Sequence, residues 1–323
     1  MTEKHTEKYG DTYEVVVVGG GAAGLSAALV LGRARRRTLV VDAGEPRNAP
    51  AAHMQGYLTR DGMSPADFLA KGREEIARYG VELVRDRAVD VTRDGDFTVA
   101  LAGGRTVRAR RLVIATGLRD ELPDVAGLAE RFGRDVLHCP YCHGWEVRDQ
   151  AFGVLATTPM SVHQALIVSQ WSKDVTLFLH RTAEEELSDE DLRRLAAAGV
   201  AVVPGEVSGL VVADDRLTGV RLAGGAPSRE GTTHALEVLF VAPRAVPQTD
   251  LLRRLGAQLR ETPFGAYAEV DETGLTTVPG VWSAGNVMGM AEQVVNAAAG
   301  GYRAGVTING ELLMADLDAA VRV

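Results

Sequence analysis

Cysteine is almost absent from this sequence: there are two in 323 residues. A chain of this length with two cysteines is not a disulfide-stapled secreted scaffold. The pair stands together as Cys139-Pro140-Tyr141-Cys142, a spacing suited to redox or metal chemistry. A second CxxC or an HxxxH is also missing, and Cys139, Cys142, His138 and His143 lie too close along the chain to form one unstrained tetrahedral centre, so no metal is expected. Basic residues are too few to draw the molecule to nucleic acid or an anionic membrane: 35 Lys and Arg face 43 Asp and Glu, a net charge of −8. Residues 1–12 lack the apolar stretch of a secretory signal, and the expected location is the cytoplasm. No low-complexity segment or long linker interrupts the chain.

What is present is an ordinary globular composition, 46% hydrophobic and 24% charged, long enough for one large or two common domains. The one uncharged run of membrane length, Val15 to Gly32, contains glycines that divide it into a buried strand, a turn and the start of a helix. Val15–Val18 is a β-branched run typical of a central parallel strand. Gly19-Gly20-Gly21-Ala22-Ala23-Gly24 follows at once, a helix is expected over about Ala22–Arg33, and Thr38–Val41 is the next strand, closing at Asp42. A lone GxGxxG is weak evidence, but this one has its whole context. It follows a strand, opens a helix, and is answered by an acid 18 residues beyond Gly24 that can accept ribose hydroxyls. The first glycine allows the tight turn, the second lets backbone N–H groups approach a pyrophosphate, and the third allows close helix–strand packing. The basic run Arg33–Arg37 reads as the solvated, dipole-matched end of the helix.

The chain also repeats itself. A shift of 138 residues lays Phe152–Ala156 on the first strand, Ser161–Trp171 on the first helix and Leu177–His180 on the second strand, with His180 where Asp42 stood. At the three glycine positions the second copy has Thr157, Pro159 and Val162, whose side chains should block the approach of a phosphate. The second unit thus reads as a nucleotide-binding domain kept as scaffold. Leu112–Gly117 and Val238–Ala242 are matching apolar strands, and Val281–Asn286 is a further strand leading into a helix near Glu292. The expected division is residues 1–122 with 246–323 for the first domain and 123–245 for the inserted one carrying the CxxC.

In the redox segment, Pro140 suits the first position of a helical turn with Cys139 as its cap, a place that lowers thiol pKa. His138 and His143 flank the pair, and either could shuttle protons near neutral pH. Tyr141, Trp145 and Trp282 are either core aromatics or substrate walls, and His53 and Met54 could line a pocket.

Together the GGGAAG turn, the ATG at 115–117, the CxxC and the late Ala284-Gly285-Asn286 resemble the low-molecular-weight thioredoxin reductase fold over nearly the whole chain. That resemblance implies an α/β protein of two Rossmann-like domains, the second inserted in the first, and a homodimer with FAD in the first domain. Gly19, Gly21, Ala22, Ala23, Gly24 and Asp42 would hold its ADP half, and Thr116 and Gly117 would line its path. Gly285 and Asn286 would meet the ribityl and pyrophosphate, and Gln293 and Val294, at a helix start, the flavin's pyrimidine edge. Three departures stand out: His143 rather than Asp after the CxxC, Asn286 rather than Asp in the late motif, and a second loop without glycines whose basic pair for a 2′-phosphate is reduced to His180-Arg181. Cys139-Pro-Tyr-Cys-His-Gly-Trp-Glu146 is similar throughout to the motif of a subgroup with these departures, the FAD-dependent dithiol oxidases that close the disulfides of gliotoxin, holomycin and romidepsin. The resemblance implies catalytic roles for Cys139, Cys142 and His143, with Cys139 toward the substrate and Cys142 toward the flavin. It also implies a small dithiol and O2 as reactants, and no need for NADPH. The alternatives are a disulfide reductase fed by NADPH or another carrier, and a non-catalytic flavin redox sensor.

Overall fold

The computed structural model describes residues 10–158, 160–224 and 231–322. Residues 1–9 and Pro159, on which parts of the sequence reading rest, lie outside the described residues. The chain forms two compact units: Met1–Ala49 with Pro65–Arg119 and Ala245–Val323, and Pro50–Ser64 with Asp120–Arg244. The expected fold class is borne out: the first unit is built on a mixed sheet whose parallel strands are extended by the antiparallel Ala88–Asp94 and Asp96–Leu101, the second on a parallel sheet, and the second is inserted in the sequence of the first. Segment 50–64, expected with the first unit, groups with the second. One cause is close backbone packing: a Cβ on Gly133 would lie 2.5 Å from the Pro50 carbonyl oxygen.

In the first unit, strand Thr12–Val18 pairs in parallel with Thr38–Asp42 on one side and Thr106–Ile114 on the other. Glu82–Arg85 extends the sheet beyond Thr38–Asp42, and Val281–Ser283 joins Thr106–Ile114. Val15 to Val18 are all buried because both faces are covered, as the unbroken β-branched run requires. The helix Ala22–Arg33 occupies the expected residues, and its Ala23, Ala27, Ala28 and Leu31 face the core. The long helix Val294–Val321 packs against it at close range, since a Cβ on Gly305 would lie 2.9 Å from the Ala27 carbonyl oxygen. That helix begins two residues later than expected, after Gln293.

The basic run at the end of the first helix is not simply solvated. Arg36 has a side chain only 12% exposed, and its guanidinium pairs with Glu14 at 2.7 Å and Asp316 at 3.0 Å and donates to Asn309. It ties the first strand, the first helix and the last helix together. Burial in range of two carboxylates, which sequence proximity does not show, converts a surface cation into a structural one. The apolar stretch Val15–Gly32 is strand, turn and helix, and among the described residues no helix is long and apolar enough to cross a membrane.

In the second unit, five strands pair in parallel in the order Val200–Val203, Val175–Phe178, Phe152–Leu155, Val238–Val241, Val136–Leu137. The internal repeat holds at the level of register. Val15 pairs with Thr38 in the first unit, and Gly153 pairs with Thr176 in the second, each shifted by the same 138 residues. The second strand of the repeat is Val175–Phe178, so His180 stands two residues beyond its end, in a left-handed turn with φ of 55°. Its helix is Met160–Val168, shorter than expected.

Candidate active site

The glycine loop of the first unit is shaped by backbone contacts. Gly19 has a φ of +110°, and a Cβ there would overlap the Ala115 carbonyl. A Cβ on Gly24 would overlap the Gly19 carbonyl oxygen, so the helix can start directly under the turn only with glycine at that place. Gly21, the cap of the helix, behaves differently: a Cβ on it would meet nothing within 4 Å, and no side chain caps the first N–H groups. A twelve-residue helix therefore presents uncapped N–H donors and its positive end at an open position. That is the fit a pyrophosphate requires. Ala22 and Ala23 are its first residues, and Ala23 is packed with Ala284 and Ala297.

Asp42 ends the second strand below this loop. Its Oδ1 accepts from the Gly20 N–H at 3.3 Å and the Gly44 N–H at 3.1 Å, and its Oδ2 pairs with Arg85 at 2.7 Å. The ATG turn leaves the neighbouring strand: Thr116 Oγ1 donates to the Gln248 carbonyl at 2.7 Å, and Gln248 Nε2 donates to the Thr116 carbonyl at 3.1 Å. The Gln248 N–H donates to the Gly117 carbonyl at 3.0 Å. Gln248, 132 residues from Thr116, was not legible as a site residue, because nothing local marks it. Asn286 accounts for its own departure from Asp. Its Nδ2 donates to the carbonyls of Gly289 at 3.1 Å and Met290 at 3.3 Å, bonds that a carboxylate could not make. Gly285 sits against Ala23, and Gln293 and Val294 form the cap and first residue of the long helix. Beside them burial pushes the Glu292 carboxyl above its usual range, opposed by Arg303. The structure thus brings all twelve expected cofactor residues to the carboxyl ends of parallel strands of one sheet, or to the helices those ends feed. This is where open α/β sheets bind nucleotides.

The redox segment lies in the second unit. Cys139 and Cys142 are joined in a disulfide with Cα atoms 5.3 Å apart. Cys139 caps the single helical turn Pro140–His143, with Pro140 at its first position as expected. The turn is pinned from behind. Gln164 Nε2 donates to the His138 carbonyl at 2.7 Å, and His138 Nδ1 lies 3.0 Å from the Val241 carbonyl, which can only accept, so Nδ1 carries the proton. Gly144 is required by close approach: a Cβ there would lie 2.8 Å from the Trp171 ring. His143 is half-buried, and desolvation lowers its pKa below the usual histidine range, helped by His138 and opposed by Glu146. At neutral pH it is a base. Trp282 is a core residue, whereas Tyr141 and Trp145 are exposed. Met54 is buried in a bridge to Met63, and His53 binds the Gly62 carbonyl, so the turn 54–63 is closed on itself.

The repeat's second loop has a different chemistry from the first. The N–H groups of Thr157 and Thr158 both point at Ser161 Oγ, at 3.1 and 3.4 Å, and Thr157 Oγ1 donates to the Ala242 carbonyl at 2.9 Å. Ser161 is itself buried, so its oxygen serves these two backbone donors from inside the unit. His180 Nδ1 accepts from the Val207 N–H at 3.1 Å, and burial, with Arg181 nearby, lowers its pKa. Arg181 is itself paired with Glu206 at 2.8 Å.

Comparison with known proteins places this geometry. The family model for pyridine nucleotide-disulphide oxidoreductases matches residues 13–301. The chain belongs to that family. It is an oxidoreductase with the two-domain Rossmann architecture, and the likeness to thioredoxin reductases read from its motifs is borne out. Thioredoxin reductase sirT of Leptosphaeria maculans is 32% identical over 326 residues, covering 95% of this chain and 96% of that one. The crystal structure of HlmI superposes with a TM-score of 0.90 at 50% identity, covering 96% of each chain. An oxidoreductase from Agrobacterium tumefaciens gives a TM-score of 0.86 at 38% identity, over 94% of this chain and 99% of its own. Family membership gives the CxxC its context, since the family's name pairs a pyridine nucleotide with a disulphide.

Proposed function

We propose that this protein is an FAD-dependent dithiol oxidase that closes the disulfide of a small-molecule dithiol. The observation that carries the reading is Ser161, whose Oγ takes both N–H groups of the second loop while the CxxC turn is intact. A chain that keeps its redox disulfide and fills its second phosphate loop from within is suited to take electrons from a thiol, not from NADPH. Paired Arg181 and hydrogen-bonded His180 support the same view.

The residues of the first unit fit FAD: the Gly19–Gly24 loop its pyrophosphate, Asp42 its ribose, and Asn286 Oδ1 a hydroxyl. Neutral His143 takes the proton of a substrate thiol, and the thiolate attacks Cys139 Sγ, breaking the Cys139–Cys142 bond and forming a mixed disulfide. The second substrate thiol, deprotonated in turn, attacks the substrate sulfur of that mixed disulfide. The product leaves as a disulfide, and Cys139 and Cys142 remain as the dithiol carrying two electrons and two protons. When bound, FAD supplies an acceptor for those electrons and a centre at which dioxygen becomes hydrogen peroxide. The net change is dithiol plus O2 to disulfide plus H2O2.

The setting proposed is the cytoplasm, with no nucleic-acid or membrane partner, in keeping with the net charge of −8. The assembly proposed is a homodimer, supported by the exposed apolar row Val295, Tyr302, Val306, Leu313 and Leu317 along the last helix. The name of the sirT relative favours a second reading, a thioredoxin reductase. One experiment separates them: anaerobic flavin absorbance of the holoenzyme after NADPH, NADH and then dithiothreitol. Bleaching by the dithiol alone, with colour and peroxide returning in air, supports the oxidase. Prompt bleaching by NADPH overturns it.

A further inference from the structure

Tyr141 lies between the two cysteines and is 70% exposed, and Trp145, two residues after His143, is 64% exposed. Two large rings standing in water within three residues of a reactive disulfide offer a contact surface at the point where a substrate must arrive. Neither is loosely placed. Tyr141 meets Trp171 edge to face, with centroids 5.8 Å apart and planes at 89°. The Arg148 guanidinium stacks 4.1 Å from the centre of the Trp145 ring, and its Nη1 donates to the Trp145 carbonyl at 2.7 Å. Among the described residues no carboxylate pairs with Arg148. A guanidinium covers one face of an indole, so the rest of this ring and the outward N–H groups of Arg148 are open to a ligand.

Building on the dithiol-oxidase reading, we propose that Tyr141, Trp145 and Arg148 form the specificity platform of the enzyme. It selects a small dithiol built on a planar conjugated ring that carries an anionic or carbonyl oxygen. The rings stack on the planar part, and the guanidinium N–H groups donate to the oxygen. Both rings are positioned before binding, one by Trp171 and one by Arg148, so little side-chain freedom is lost when a ligand arrives. A flexible saturated dithiol gains nothing from such a surface. The exchange itself needs no groups beyond those already assigned.

The test uses the holoenzyme without oxygen and follows opening of Cys139–Cys142 by quenched alkylation and mass, with dithiothreitol, 1,2-bis(mercaptomethyl)benzene and 3,4-bis(mercaptomethyl)benzoate, all of which close six-membered cyclic disulfides. The quantity read is each aromatic probe's rate constant divided by that of dithiothreitol. Trp145→Ala lowers this ratio about tenfold for both aromatic probes, as expected for loss of one stacking contact of about 1.4 kcal/mol. Trp145→Phe restores most of it. Arg148→Gln lowers the ratio for 3,4-bis(mercaptomethyl)benzoate and leaves it in place for 1,2-bis(mercaptomethyl)benzene. Ratios that do not move in either variant, in an enzyme that turns dithiothreitol and oxygen into peroxide, overturn the platform alone. A wild-type disulfide that no dithiol opens overturns the platform together with the oxidase reading. Fast opening by a reduced thioredoxin, lost in Trp145→Ala while the small-probe ratios stay fixed, overturns it in favour of a protein partner.

Discussion

Replacing His143 with glutamine isolates proton transfer from disulfide exchange. The imidazole follows Cys142 directly and is half-buried, and desolvation holds its pKa below the usual histidine value. At pH 7 an ordinary histidine, with a pKa of about 6.5, is about three-quarters neutral, and this one is more so. It can therefore accept a thiol proton throughout the neutral range. Without it, only substrate already ionised in solution reacts. A thiol of pKa about 8.5 is about 3% thiolate at pH 7, so the rate of Cys139–Cys142 opening by dithiothreitol should fall about 30-fold. At pH 9 the same thiol is about three-quarters ionised, and the two proteins should differ less than about twofold. Anaerobic stopped-flow mixing between pH 5.5 and 9.5 reads this directly. The wild-type rate should lose its acid limb only below about pH 6.5, whereas the variant should climb about tenfold per pH unit toward 8.5. Parallel profiles, with the same loss at pH 7 and pH 9, would refute a base role and leave His143 as a structural residue. Stability follows the same sign: a folded-state pKa below the unfolded value means that the contribution is complete above about pH 6.5 and is lost as pH falls through the folded value.

Gly24→Val drives side-chain atoms into the Gly19 carbonyl, and the loop must shift at a cost of about 1–3 kcal/mol. The purified variant should carry about a tenth or less of the wild-type flavin, read from its visible absorbance per polypeptide, with far-UV circular dichroism preserved. Ser161→Ala leaves the N–H groups of Thr157 and Thr158 without their acceptor, and the denaturation midpoint should fall by the equivalent of about 1–3 kcal/mol. An unchanged midpoint would show that those N–H groups find another partner. Asn286→Asp turns two donated bonds, to Gly289 and Met290, into repulsion between oxygens, and flavin retention should drop by more than in Asn286→Ala. Equal retention in the two variants would place the carboxamide's role elsewhere.

Legibility was uneven across the two units. Helix Ala22–Arg33 and strand Thr38–Asp42 run over the residues the sequence pointed to, because glycine geometry and β-branched runs act within a few residues. The repeat was legible for the same reason, and the shared register of the two sheets bears it out. The second loop was expected to be degenerate from the loss of its glycines, and that expectation belongs to the proposed function. That Ser161 accepts from the N–H groups of this loop was a signal within reach, a hydroxyl one turn beyond Thr157, but the direction of its oxygen depends on the fold. Arg36 was misread as solvated because its partners Asn309 and Asp316 lie more than 270 residues away.

The sequence by itself determined where the glycine loop, the acid after it and the CxxC turn would be. Each is a demand on local backbone: a positive φ, a missing Cβ, a proline at the start of a helical turn. Only the tertiary structure decided how those parts are held and tuned. Arg85 on Asp42, Gln248 on the ATG turn, Gln164 behind Cys139 and Trp171 beneath Gly144 are each brought in from elsewhere along the chain. The physical reason is range. Backbone conformation is fixed by atoms a few bonds apart, whereas burial, charge pairing and the lowered pKa of His143 come from atoms that become neighbours only when the chain has folded.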